Sequence, residues 1–155
     1  MNDQIQLLKL LERLRSLGME AHPLAGSGVG PPQLALMARI ARRPGCHLKE
    51  VAAALQVTAP TVSVAVQELE KKGLLERRPD PSDGRAVQLF LSRKGKELHR
   101  RAEAFRKEKA RRVLAALKAE ERALFLELLG KALDSAQQAQ SEASAGLDSG
   151  EGTLR

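Results

Sequence analysis

Aromatic side chains are nearly missing from this chain. Phe90, Phe105 and Phe125 are the only ones, with no Trp and no Tyr. Proteins that hold single-stranded nucleic acid stack its bases on aromatic rings, and three phenylalanines are too few for that. Cysteine occurs once, at Cys46, which excludes an intramolecular disulfide and suits a reducing compartment. No apolar run approaches the ~18 residues that cross a bilayer, and no secretory signal is visible. The sequence therefore reads as a soluble, cytoplasmic protein. His22, His47 and His99 are scattered and no second cysteine joins them, so there is no metal-ligand spacing. Gly26, Gly28 and Gly30 lack the strand-to-helix context of a phosphate-binding loop and read as a flexible connector. There is no nucleophile-base-orienter set, no paired carboxylate motif and no cofactor fingerprint. An enzyme is not expected, nor a cofactor.

What the chain has in excess is positive charge. Its 155 residues carry 26 Lys plus Arg against 19 Asp plus Glu, a formal charge of +7. Such a balance attracts phosphate backbones or anionic membranes. From residue 135 onward the charged residues are Glu142, Asp148, Glu151 and Arg155, so the positive excess lies in the part expected to fold. With stacking platforms absent, duplex DNA is the better partner. The base-rich run from Arg100 to Arg112 reads either as a phosphate-contacting patch or as a solvated helix face.

Periodicity predicts six helices and one hairpin. Ile5, Leu7, Leu8, Leu10, Leu11, Leu14 and Leu17 recur at helical spacing over residues 4–17, ending at Gly18. After a loop containing His22 and Pro23, Pro31 and Pro32 open a second helix through Leu34, Leu36, Met37, Ile40 and Ala41, which stops before Pro44. A short helix over residues 48–55 is joined by Gln56 and Val57 to a fourth. Thr58 is its expected N-cap and Pro60 lies in its first turn. Val62, Ala65, Val66 and Leu69 form its buried stripe, and Gly73 supplies a left-handed end after Lys71 and Lys72. Two helices joined so tightly are a helix-turn-helix. Residues 74–91 then read as two strands around a turn of Pro79, Asp80, Pro81, Ser82, Asp83 and Gly84, with Val87, Leu89 and Leu91 alternating inward. Ser92 caps a long helix to about residue 117. A leucine-rich helix covers about 119–136, and the polar residues 137–155 are expected to be disordered. The class is mainly α with a small β-hairpin, an α+β chain. The first and last helices are more apolar than a small core requires, which suits packing against each other and against a second copy, the alternative being that they simply bury each other within one subunit.

Several segments together resemble the MarR family of bacterial transcriptional regulators. Glu50-Val51-Ala52 is similar to the start of that family's first motif helix, and Thr58-Ala59-Pro60-Thr61-Val62-Ser63 looks like its recognition-helix entry. Leu69-Glu70-Lys71-Lys72-Gly73-Leu74-Leu75-Glu76-Arg77 resembles the helix-to-wing junction, Asp80-Pro81-Ser82-Asp83-Gly84-Arg85-Ala86 the wing, and Leu91-Ser92-Arg93-Lys94-Gly95 its end. The likeness runs from about residue 32 to 98. It implies one domain over 1–136: a winged helix-turn-helix at about 32–91, with dimerisation helices at about 4–17 and 92–136.

The resemblance implies a homodimeric regulator, typically a repressor, on a pseudo-palindromic duplex, usually responding to a small and often anionic aromatic ligand; in this chain His22 and arginines could supply that ligand's polar contacts. It also gives roles to two wing residues. Arg85 would enter the narrow minor groove, and Asp83, two residues away, would orient its guanidinium. With the buried stripe turned inward, Pro60, Val64, Gln67 and Lys71 face outward, with Thr61, Ser63 and Glu68 beside them. Many family members carry a base where this chain has Val64. Base readout then falls to Thr61, Ser63 and Gln67, with Val64 against thymine methyls. Phosphate contacts fall to Thr58, Thr61, Ser63, Lys71, Arg77 and Arg78, with Ala59 and Pro60 at the helix entry. The nonpolar Val64 face also suits an alternative, a winged helix used to bind protein. Cys46 reads as a buried, inert thiol, oxidant sensing being the rarer role.

Overall fold

The computed structural model describes residues 2–17 and 24–148. Gly18, His22 and Pro23 lie outside the described residues, as does the tail from residue 149. The elements are α1 (Asp3–Ser16), α2 (Pro31–Arg42), β1 (Cys46–His47), α3 (Leu48–Leu55), α4 (Ala59–Lys71), β2 (Leu75–Pro79), β3 (Val87–Leu91), α5 (Arg93–Leu114) and α6 (Ala119–Asp148). The chain divides into two compact units, Met1–Lys109 and Ala110–Arg155, where the sequence suggested one domain to 136.

The core of the first unit is built by α2, α3, α4 and the sheet. Leu36, Met37, Ile40, Val51, Val66, Leu69, Leu74 and Leu89 are fully buried. Each contributes about 1.5–3 kcal/mol by leaving water. α4 buries Val62, Val66 and Leu69, with Ala65 half-buried beside them, as its spacing requires. From α5, Ala102 and the partly buried Leu98 close the core from one side.

The sheet has three strands, ordered β1-β3-β2, not the two of a simple hairpin. The added strand is β1, where Cys46 pairs antiparallel with Leu89 and His47 with Gln88. Gly45, at φ +81°, turns the chain into it and donates its N–H to the Leu89 carbonyl at 2.9 Å. In β3 the expected alternation holds only in part. Leu89 and Leu91 are buried, but Val87 is 41% exposed, because it pairs with Pro79 beyond the reach of the core.

Ser92 caps α5 as its sequence position suggests, its Oγ accepting the Gly95 N–H at 3.0 Å. Its own N–H binds the Leu74 carbonyl at 3.1 Å. α5 ends at Leu114 rather than about residue 117, in a turn where Leu117 N–H meets the Leu114 carbonyl. α6 runs to Asp148 instead of stopping near Ala136. The added stretch is mainly Ala, Gln, Glu and Ser without proline, whose helix propensities permit extension although no core demands it. Among the described helices none is long and apolar enough to cross a membrane.

Candidate nucleic-acid interface

The helix-turn-helix is set by local backbone chemistry. α3 ends on Gln56, which sits left-handed at φ 54°, and the Val57 N–H returns to the Ala52 carbonyl at 3.1 Å. Thr58 then stands extended as N-cap of α4. Its Oγ1 accepts the Thr61 N–H and lies 2.8 Å from the Thr61 hydroxyl. Pro60 occupies the first turn, where its missing N–H costs nothing. Gly73, at φ +69°, ends the helix and lets its N–H reach the Glu70 carbonyl at 2.8 Å.

The face of α4 turned to solvent carries Pro60, Thr61, Val64, Gln67, Glu68 and Lys71, all exposed. Val64 is 56% exposed, a level that leaves a branched apolar side chain ready for contact. Ser63 is half-buried, and Ala59 packs partly against the core, so these two contribute less to the outer face than their sequence positions suggested. Thr58 is exposed at the helix entry. An open groove of about 720 Å³ runs past Thr61, Val64 and Lys71 against Gly30 and Pro32.

The wing is β2, β3 and the loop between them. Arg85 is exposed at its tip, and its guanidinium has no ion-pair partner among the described residues. Asp83 does not orient that guanidinium. Its Oδ1 accepts the Arg85 backbone N–H at 3.0 Å, and its carbonyl accepts the Ala86 N–H at 2.9 Å. A short carboxylate two residues before an N–H closes an Asx turn more readily than it reaches a long side chain. Asp83 thus shapes the tip, and the arginine is left free.

Arg77 and Arg78, taken together as phosphate contacts from the sequence, point to opposite faces of β2, since neighbours in a strand alternate. Arg77 pairs with Glu70 of α4, Nε to Oε2 at 2.8 Å. Arg78 pairs with Glu76 at 2.9 Å and lies 4.5 Å from the centre of the Phe90 ring. Lys71 keeps an exposed ammonium, whereas Lys72 turns inward, bonding the Gly28 carbonyl and, at 3.2 Å, Gln33 Oε1. Gln33 also bonds Glu68, so the end of α4 is tied to the start of α2.

Along α5, Arg100, Arg101 and Arg106 of the basic run pair with carboxylates of the same helix. Arg100 and Arg101 both bind Glu97 at 2.9 Å, and their hydrogen bonds hold its carboxyl down to about 2. Arg106 pairs with Glu103. Cys46 is 1% exposed, and burial raises its thiol above the ordinary value, as suits an inert core residue. No group of three or more His, Cys, Asp or Glu able to hold a metal occurs among the described residues.

His47 was passed over in the sequence because it matched no ligand spacing. In the fold its Nε2 lies 2.7 Å from Asp80 Oδ2 and its Nδ1 3.3 Å from Glu50 Oε2. No signal in the sequence announces this, since Asp80, directly after β2, is brought to it only by the pairing of both β1 and β2 with β3.

Comparison with known proteins agrees with this geometry. A family profile described as MarR family matches residues 27–86. The HTH-type transcriptional regulator BilQ of Clostridium symbiosum is 31% identical over 108 residues, covering 70% of this chain and 75% of BilQ. An HTH-type transcriptional repressor of Mycobacterium tuberculosis is 30% identical, with 70% and 78% covered. Among solved structures, Streptococcus pneumoniae FabT in complex with DNA superposes with a TM-score of 0.73 at 26% identity, covering 92% of this chain and 99% of that one.

Proposed function

The chain belongs to the MarR family of DNA-binding transcriptional regulators and is not an enzyme, and from that premise we propose that it is a cytoplasmic repressor working as a homodimer on a pseudo-palindromic operator. The observation that carries this reading is the exposed face of α4 with the unpaired Arg85 on the adjoining wing. Two recognition helices of a dimer would enter successive major grooves about 34 Å apart. Gln67 would meet an adenine edge and Val64 a thymine methyl, while Arg85 enters the flanking minor groove. Thr58, Thr61, Ser63, Lys71, Arg77 and Arg78 would meet phosphates, with Ala59 and Pro60 bringing the helix end close to the backbone. Because Arg77 and Arg78 face opposite ways, they would meet different phosphates if both engage. Repression is supported by the likeness to a relative named a repressor.

Duplex affinity measured by fluorescence anisotropy tests this. Binding should fall steeply with salt, and Arg85→Ala should weaken it about tenfold or more. Full affinity after that substitution would instead favour protein docking on the Val64 face, the reading its exposed groove supports. Release by a small ligand is the finer part of the reading. Thermal-shift screening with phenolic acids should reveal a compound that stabilises the chain and frees the duplex.

A further inference from the structure

Asp83 shapes the tip of the wing from within, and a second carboxylate, that of Asp80, closes the base of the tip loop. Asp80 directly follows β2, and its side chain is only 9% exposed. Its Oδ1 accepts the Ser82 N–H at 2.7 Å, its Oδ2 accepts Gln88 Nε2 at 3.4 Å, and its own N–H donates to the Ala86 carbonyl at 3.0 Å. Arg85 sits inside the loop these bonds close. The same Oδ2 lies 2.7 Å from His47 Nε2. His47 belongs to the body of the domain: it ends β1, precedes α3, and gives its backbone N–H to Glu50 Oε2 at 2.7 Å. Its Nδ1 also faces Glu50, so both ring nitrogens look onto carboxylate oxygens. An imidazole can donate from both nitrogens only as the doubly protonated cation.

We propose that His47 is a positioning residue for DNA binding: its doubly protonated ring straps Asp80, and with it the loop that presents Arg85, to the start of α3, so that duplex affinity falls as pH rises. This rests on the reading of Arg85 as the wing's contact with DNA. The charged and polar groups facing the ring are Asp80 from the wing and Glu50 from α3, with neutral Gln88 beside Asp80 and Arg43, 3.1 Å from Glu50, partly offsetting that carboxylate.

The direction follows from these neighbours. The hydrogen bond to Asp80 raises His47 above its ordinary 6.5, against a partial loss of solvation and with added help from Glu50. Both carboxyls are held below their ordinary values, Asp80 chiefly by the Ser82 N–H and Glu50 chiefly by the His47 N–H, so they stay ionised. A group with a raised pKa contributes fully below its unfolded value, and the contribution is lost as pH climbs through the folded value. Once neutral, the ring keeps one proton, best used on the shorter contact to Asp80, and sets a lone pair against Glu50. The strap loosens without parting. The expected loss of affinity is about two- to fivefold, the scale of a partly exposed charged contact.

The test measures duplex affinity of the full chain from about pH 5.5 to 9 at fixed ionic strength, beside an NMR titration of the His47 ring. The wild type should lose about two- to fivefold. His47→Gln, whose amide donates to Asp80 but does not titrate, should bind with a flatter profile, and His47→Ala should bind more weakly at low pH. The ring should titrate above its ordinary value. An equally steep profile in His47→Gln, full low-pH affinity in His47→Ala, or a ring titrating at or below the ordinary value would each overturn the strap. Should the alanine variant fail to fold, the glutamine profile and the titration still decide. Arg85→Ala keeps the two readings apart. If it binds as the wild type does, the wing contact itself fails. If it binds weakly while the His47 variants match the wild type, only the strap fails.

Discussion

Single residues decide how closely elements approach and which charges stay available. Gly95 is buried in the first turn of α5, where a Cβ would lie 1.9 Å from the Leu74 carbonyl oxygen, a backbone atom that cannot step aside. The same carbonyl receives the Ser92 N–H, so the segment that leaves α4 and the start of α5 are locked at this point. Gly95→Ala should therefore destabilise the fold by about 2–3 kcal/mol, the scale of overpacking, measured by urea unfolding. A variant as stable as the wild type would mean that the contact yields. The glycine was visible in the sequence only as part of a resemblance, and its reason, the close passage of Leu74, is a tertiary fact. Arg85 and Asp83 divide in the same way. That both belong to the tip was legible from the turn residues. That Asp83 spends its carboxylate on a backbone N–H was not, because the choice between two nearby donors depends on the loop's conformation.

At the scale of elements, legibility followed how local the determining chemistry is. α4 was readable in full because its cap, its proline, its apolar stripe and its terminal glycine all lie within the segment. Thr58→Ala should cost about 1 kcal/mol by removing that cap, and the loss should appear as a lower midpoint in thermal unfolding followed by circular dichroism. An unchanged midpoint would show that the Thr61 N–H is satisfied equally well by water. β1 was not readable. Two residues have no periodicity, and the strand exists only because Gly45 turns Cys46 and His47 against the free edge of β3. The outward turn of Val87 has the same origin, since alternation fixes which residues share a face but not how far the core extends along it.

For the whole molecule, the telling feature is apolar surface left uncovered. None of α1 is buried, and Ile5, Leu7, Leu8, Leu10, Leu11 and Leu14 are exposed, as are Leu124, Phe125, Leu126, Leu128, Leu129 and Leu133 in α6. Patches of this kind on a single chain mark an interaction surface, and a second copy is the occupant we propose. Leu11→Glu leaves the core untouched, so it should yield a folded monomer by sedimentation equilibrium. It should also weaken binding to a two-half-site duplex about a hundredfold, as the second contact ceases to be intramolecular. A variant that stays dimeric would exclude α1 from the interface. By itself, the sequence determined the order of the helices, the outward face of α4 and the place of the wing, because helix caps, turn residues and apolar spacing act over a few residues of chain. Only the tertiary structure decided that β1 joins the sheet, that Gly95 must be glycine, and that His47 meets Asp80. Each of those depends on segments far apart in sequence, brought together by a core that no local pattern describes.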